Sequence, residues 1–233
     1  MILSADKIRA RVEAAPTSDD DWFAITPVLD WTTQARPGTS AINVRLGTRF
    51  RVPRRARLDA LDHLAAPPSL ESVYADDVRV AVGDYFVLHP RQFVIGETVE
   101  WFRFPRTLAG FVSGRSSWGR EGLIVATAIV VHPFYAGVLA LELTNLGEIP
   151  VKLYPGCQIA QLLIHEVDGD PSAKIPLSMF MASAFPRDPD PLSHDRKVLQ
   201  EFRRSFLTTT NLPPTSAPPP PATRVTASPA PRG

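Results

Sequence analysis

The chain has 233 residues, with Lys+Arg 25 against Asp+Glu 24 and a net charge of +1. That balance argues against broad binding to nucleic acid, which needs a basic surplus on one face. A single cysteine, Cys157, excludes an internal disulfide framework and any Cys-rich zinc site. No stretch approaches the ~20 apolar residues that cross a membrane. The opening residues carry charges from Asp6 onward and lack the apolar block of a secretory signal. The expected compartment is the cytoplasm.

In chain order, Ser4 stands as an N-cap before a helical pattern in which Ile8, Val12 and Ala15 recur, and Pro16 ends it. Nine short runs of β character follow, over 23–29, 41–52, 78–90, 93–102, 108–114, 122–133, 137–146, 149–155 and 158–167. They are rich in Val, Ile, Leu and Phe, are punctuated by Gly, Pro, Asn and Asp, and several alternate with period two. No long helical pattern intervenes between Val78 and Val167, which argues against parallel βαβ units and for a sandwich or barrel. Residues 168–190 read as loop. A late helix is expected from about Asp195 to Leu207, with Val198, Phe202 and Phe206 as its apolar stripe. The folded unit is expected over 1–207. Eight prolines between Pro213 and Gly233 mark 208–233 as a disordered, partly polyproline tail, read either as a solubilising appendage or as a docking site for a proline-recognising partner.

The chain lacks a Walker-type phosphate loop, a G-x-S-x-G elbow and the His/Cys/Cys set of zinc deaminases. Two features remain. In Gly114-Arg115-Ser116-Ser117-Trp118-Gly119-Arg120-Glu121, two arginines flank two adjacent hydroxyls. Arginine forks and hydroxyls match phosphate oxygens, and glycine lets a backbone approach a ligand. The segment reads equally as a polar turn with a surface salt link from Arg120. The second feature is Glu142, the one charge in the run Val138–Asn145. If Leu141 and Leu143 face a core, Glu142 faces away. It is then either an ordinary solvent-facing residue or a half-buried carboxylate of raised pKa, poised for proton transfer.

Over roughly residues 1–166 the sequence resembles the dCTP deaminase branch of the dUTPase-like superfamily. The likeness runs from the opening MILSADKI through Ile25-Thr26-Pro27, Ser40–Gly47 and Phe86–Pro90 to its strongest piece, Gly114–Leu123. Thr127-Ala128, Pro133, Gly137, Leu141-Glu142, Asn145, Leu153-x-Pro155-Gly156 and Ile159–Leu162 complete it in order and spacing. The resemblance implies a mainly β fold: a distorted β-barrel of the dUTPase-like type, with the N-terminal helix, late C-terminal helix and Pro-rich tail added. It also implies a homotrimer with active sites between subunits, and hydrolytic deamination of dCTP to dUTP and ammonia without zinc.

On this resemblance Glu142 is the general base. Arg120 and Ser116 hold the water and the pyrimidine, and Arg115, Ser116 and Ser117 lie along the nucleotide, with Trp118 and Gly119 in the same turn. Ala128 supplies backbone at the base pocket, Ala140 and Leu141 are further substrate-binding residues, His132 stands at the sugar, and Gln161 lies near the phosphates. Magnesium rides on the triphosphate, and no protein-held metal is expected.

The chain departs from the family pattern in four places. His132 stands where an Asp is usual, which argues against a combined diphosphatase activity. Ile129-Val130 replace a His-Arg pair, Asn43 replaces an Asp, and the family's closing lid is not legible, with Lys174, Arg187 and Arg196 as the available substitutes. These departures keep a second reading open, a non-catalytic nucleotide-binding or regulatory member of the superfamily.

Overall fold

In the computed structural model, which describes residues 1–53, 74–168, Val198 and Glu201, the chain opens as its capping pattern dictates. Helix α1 spans Ala5–Glu13, and the Ser4 hydroxyl accepts the Lys7 N–H at 3.4 Å. It stops at Ala14, because Ala15 precedes Pro16 and a residue before proline is pushed out of the helical region. Ile8 is sealed in the core while the polar residues face out.

Twelve strands follow among the described residues, all antiparallel where they pair. They are β1 (Ala24–Thr26), β2 (Ile42–Arg45), β3 (Arg49–Pro53), β4 (Tyr74–Arg79), β5 (Phe86–Leu88) and β6 (Phe93–Arg103). The second half supplies β7 (Leu108–Gly114), β8 (Leu123–Val125), β9 (Val130–Val131), β10 (Ala136–Asn145), β11 (Val151–Leu153) and β12 (Gln158–Glu166). Two four-residue helices interrupt them, α2 (Trp31–Gln34) and α3 (Ser116–Gly119).

A mainly β fold is therefore correct, but the expected barrel needs correction: among the described residues the ladders do not close. One sheet runs β4-β3-β6-β10-β8, with β1 also on β6; a second runs β2-β12-β7-β9; β5 and β11 pair separately. The ladder breaks where the run 41–52 changes sheet. At Gly47 the chain passes so close to β6 that an added Cβ would lie 2.6 Å from Glu97 Cγ, so β2 ends and β3 begins there. Such corners, where a strand leaves one sheet for another, replace closure in packed antiparallel folds. All described residues except Val198 and Glu201 lie in one compact unit. Those two residues are helical, as expected for the late helix; the rest of its stripe and the tail fall outside the described residues.

Phe50, Phe102, Phe104, Leu141 and Leu143 are among the largest side chains with at most 1% exposure, and they belong to one hydrophobic core. An ion pair is set into this core. Arg45 Nε lies 2.6 Å from Glu100 Oε1, with the two side chains 8% and 0% exposed. The pair is fully engaged: the Arg45 N–H donates to Glu100 Oε2 at 2.9 Å, Gln34 Nε2 donates to Oε1 at 2.9 Å, and Arg45 Nη2 donates to the Pro27 carbonyl at 2.7 Å. Removing one partner strands the other charge in a dry interior, which costs about 3–5 kcal/mol, whereas replacing both with apolar residues of similar volume is often neutral. Arg45→Met should lower unfolding stability by that amount in a urea titration, and adding Glu100→Leu should recover most of the loss.

Candidate active site

The Gly114–Glu121 segment lies between β7 and β8 as a single helical turn. Arg120 N–H donates to the Ser116 carbonyl and Glu121 N–H to the Trp118 carbonyl. The turn is pinned from below by one atom: Arg115 Nη1 and Trp118 Nε1 both donate to the Gln158 carbonyl, each at 2.9 Å. It closes at Gly122, where φ is +89° and an added Cβ would lie 2.5 Å from the Gly147 nitrogen. Only glycine meets both conditions there.

Beside the turn is a cleft of about 290 Å³ lined by Arg115, Ser117, Trp118, Glu121, Cys157 and Gln158. Ser116, Gly119 and Arg120 are exposed on the same turn. Arg120 makes no ion pair among the described residues, so the surface salt link that would make this an ordinary polar turn is not formed. Arg115 is committed through one nitrogen to a neutral carbonyl and shares the cleft wall with Glu121, with no ion pair to it among the described residues.

Glu142 sits where period two puts it. Burial alternates along β10, with Leu139, Leu141 and Leu143 sealed in the core and Ala140, Glu142 and Thr144 on the opposite face. The surrounding backbone is held by Thr127, whose hydroxyl accepts the Glu142 N–H at 2.9 Å and donates to the Ala140 carbonyl at 3.3 Å. Half-burial pushes the Glu142 pKa above the ordinary glutamate value, and the Ala128 N–H, which donates to the carboxylate, opposes this in part. Ala128 thus meets the candidate base through its backbone. Leu141 has no exposed surface, so only its backbone is open to a ligand.

Glu142 is not among the residues that line the cleft beside the turn. Strand β8 lies between them: it pairs with β10 on one side, while Val125 lies 3.5 Å from where a Gly114 side chain would begin on the other. Gln161 lies elsewhere, on the β12 face shared with Ser113, its Nε2 donating to Asn43 Oδ1 at 3.1 Å. His132 is exposed just after β9. Cys157, Gln158 and Glu121 line the cleft and were not singled out from sequence as binding residues. The Pro155-Gly156 turn before Cys157 is the local signal that could have placed two of them.

The family profile described as dCTP deaminase-like matches residues 2–167. The chain is 39% identical over 168 residues to a protein of Natronomonas pharaonis named dCTP deaminase, covering 72% of this chain and 81% of that one. It is 38% identical over 165 residues to a Mycobacterium marinum protein named dCTP deaminase, dUMP-forming, covering 70% and 80%. Among solved structures, the 2'-deoxycytidine 5'-triphosphate deaminase from Agrobacterium tumefaciens shares the fold, with a TM-score of 0.51 at 19% identity. That match covers 70% of this chain and 47% of the other, longer one. The chain therefore belongs to the dCTP deaminase-like family.

Proposed function

We propose that the chain deaminates dCTP to dUTP and ammonia, with Glu142 as general base. The observation that carries this reading is a half-buried carboxylate of raised pKa, held by a backbone N–H on the solvent side of an otherwise apolar strand. A base with a pKa nearer neutrality transfers protons in both directions more readily than an ordinary glutamate.

Water attacks C4 of the pyrimidine while Glu142 takes one of its protons and passes it to ring N3. The resulting adduct carries a hydroxyl and an amino group on C4. Glu142 takes the hydroxyl proton, gives it to the amino group, the C4–N bond breaks and ammonia leaves behind a C4 carbonyl. Arg120 and Ser116 position water and base, and Arg115 and Ser117 meet the phosphates, with Trp118 and Gly119 shaping the turn. Ala128 and Ala140 border the base, Gln161 and His132 reach toward phosphate and sugar, and magnesium arrives on the triphosphate. Because β8 separates Glu142 from the arginine–serine turn within one chain, the turn that completes each site comes from a neighbouring copy in a homotrimer.

Glu142→Gln should retain fold and nucleotide binding and lose turnover by at least ~100-fold, measured as ammonia release from dCTP. Wild-type turnover should fall on the acid side at a pH above the ordinary glutamate range, since only ionised Glu142 accepts a proton and burial raises its pKa. Chromatography of the products separates dUTP from dUMP. Dissociating and remixing equal amounts of Glu142→Gln and Arg120→Ala should restore about a quarter of wild-type activity, because random trimers then contain sites with both residues intact. No recovery, with mixed trimers shown to form, would place both residues in one subunit's site.

A further inference from the structure

Glu97 is a second carboxylate in β6 that the proposed chemistry does not use. It is 7% exposed, and its Oε2 is buried with no hydrogen-bond partner among the described residues. Its side chain lies in the space that a Gly47 side chain would fill, and its carbonyl accepts the Gly47 N–H at 2.7 Å. Burial raises its pKa to about 7 from 4.5, against the pull of Arg49, Arg79 and the Arg49 N–H. Its position matters as much as its burial. Glu97 pairs with Ala140 at the point where β6 shifts register against β10, two residues from Glu142. Thr98 fills that irregularity, its hydroxyl accepting the Leu139 N–H and donating to the Glu100 carbonyl. The charged groups facing Glu97 among the described residues are Arg49 and Arg51 on β3, Asp77 and Arg79 on β4, and Glu142 on β10.

We propose that Glu97 is a proton-linked positioning residue: neutral, it locks β6 between the Gly47 corner and the β10 irregularity, and ionised, it loosens that contact and the placement of Glu142 with it. A neutral carboxyl tolerates an unpartnered buried oxygen far better than a carboxylate does. The folded-state pKa lies above the unfolded one, so the folded protein binds the extra proton. The destabilisation is absent below 4.5, grows as pH rises toward 7 and is complete above it.

Glu97→Gln keeps the shape and cannot ionise. Thermal melts from pH 4.5 to 8.5 should show its Tm rising relative to wild type across that window, with the largest gap above pH 7; parallel curves would overturn the proposal. Should the variant not fold, hydrogen exchange on the wild-type protein decides. Protection of the Gly47 and Leu139 amides, corrected for intrinsic rates, should drop by at least ~10-fold between pH 6 and pH 8.5, a pKa displacement of one unit being tenfold in equilibrium. Unchanged protection overturns it. Neither measurement uses dCTP, so both stand or fall apart from the proposed reaction. The positioning role rests on that reaction: wild-type kcat should decline above pH 7 with KM unchanged, and Glu97→Gln should lack the decline. Identical alkaline limbs would reject a link to Glu142.

Discussion

The buried Arg45–Glu100 pair is the joint from which the rest of the described fold hangs. Arg45 ends β2, at the edge of one sheet, and Glu100 lies in the middle of β6, at the centre of the other. Neither charge can be surrendered to water, so the two sheets are held at one relative placement. The pair also gathers Pro27, just after β1, and Gln34, at the end of α2. Each half of the candidate site is one strand away from this joint. On one side, β6 pairs with β10 and sets the position of Glu142. On the other, β2 pairs with β12, whose Gln158 carbonyl anchors the arginine–serine turn. An electrostatic constraint with no chemical role thus orients both chemical groups.

Three glutamates on two neighbouring strands show how environment assigns different tasks to one side chain. Glu100 has no exposure and is compensated by a guanidinium and an amide. Glu97 is nearly as buried but has one oxygen without a partner among the described residues. Glu142 is partly exposed and meets the Ala128 N–H. Full compensation makes a structural charge, partial compensation a titrating group, and a carboxylate at the boundary a candidate base.

The local layers of this arrangement were legible in the sequence, and the non-local ones were not. The alternation Leu139-Leu141-Leu143 assigned Glu142 to the outer face, and the burial along β10 agrees. The Ser4 cap and most strand-like runs also match observed elements, because capping and period two are set by residues a few positions apart, although 78–90 and 122–133 each break into two strands and β4 begins at Tyr74, ahead of its run. The break of the run 41–52 at Gly47 was missed, since it depends on Glu97, fifty residues away. Glu97 and Glu100 carry no local sequence signal, because what surrounds them comes from elements distant in the chain. Four-residue helices such as α2 and α3 have too few positions for a helical period to show. The separation of Glu142 from the Arg120 turn by β8 followed from pairing register, which no local pattern encodes.

The alternation along β10 also makes that strand's length immutable. Each residue from Ala140 to Thr144 is assigned to one of two faces and has a fixed partner on β6, and Leu143 and Thr144 also have one on β8. A one-codon deletion there would drive the Glu142 carboxylate into the Leu143 slot and push leucines into water. The same deletion in the turn at Gly147-Glu148, outside the paired residues, would leave those faces intact. Length variation among functional descendants of this chain should therefore collect in its turns and spare this strand.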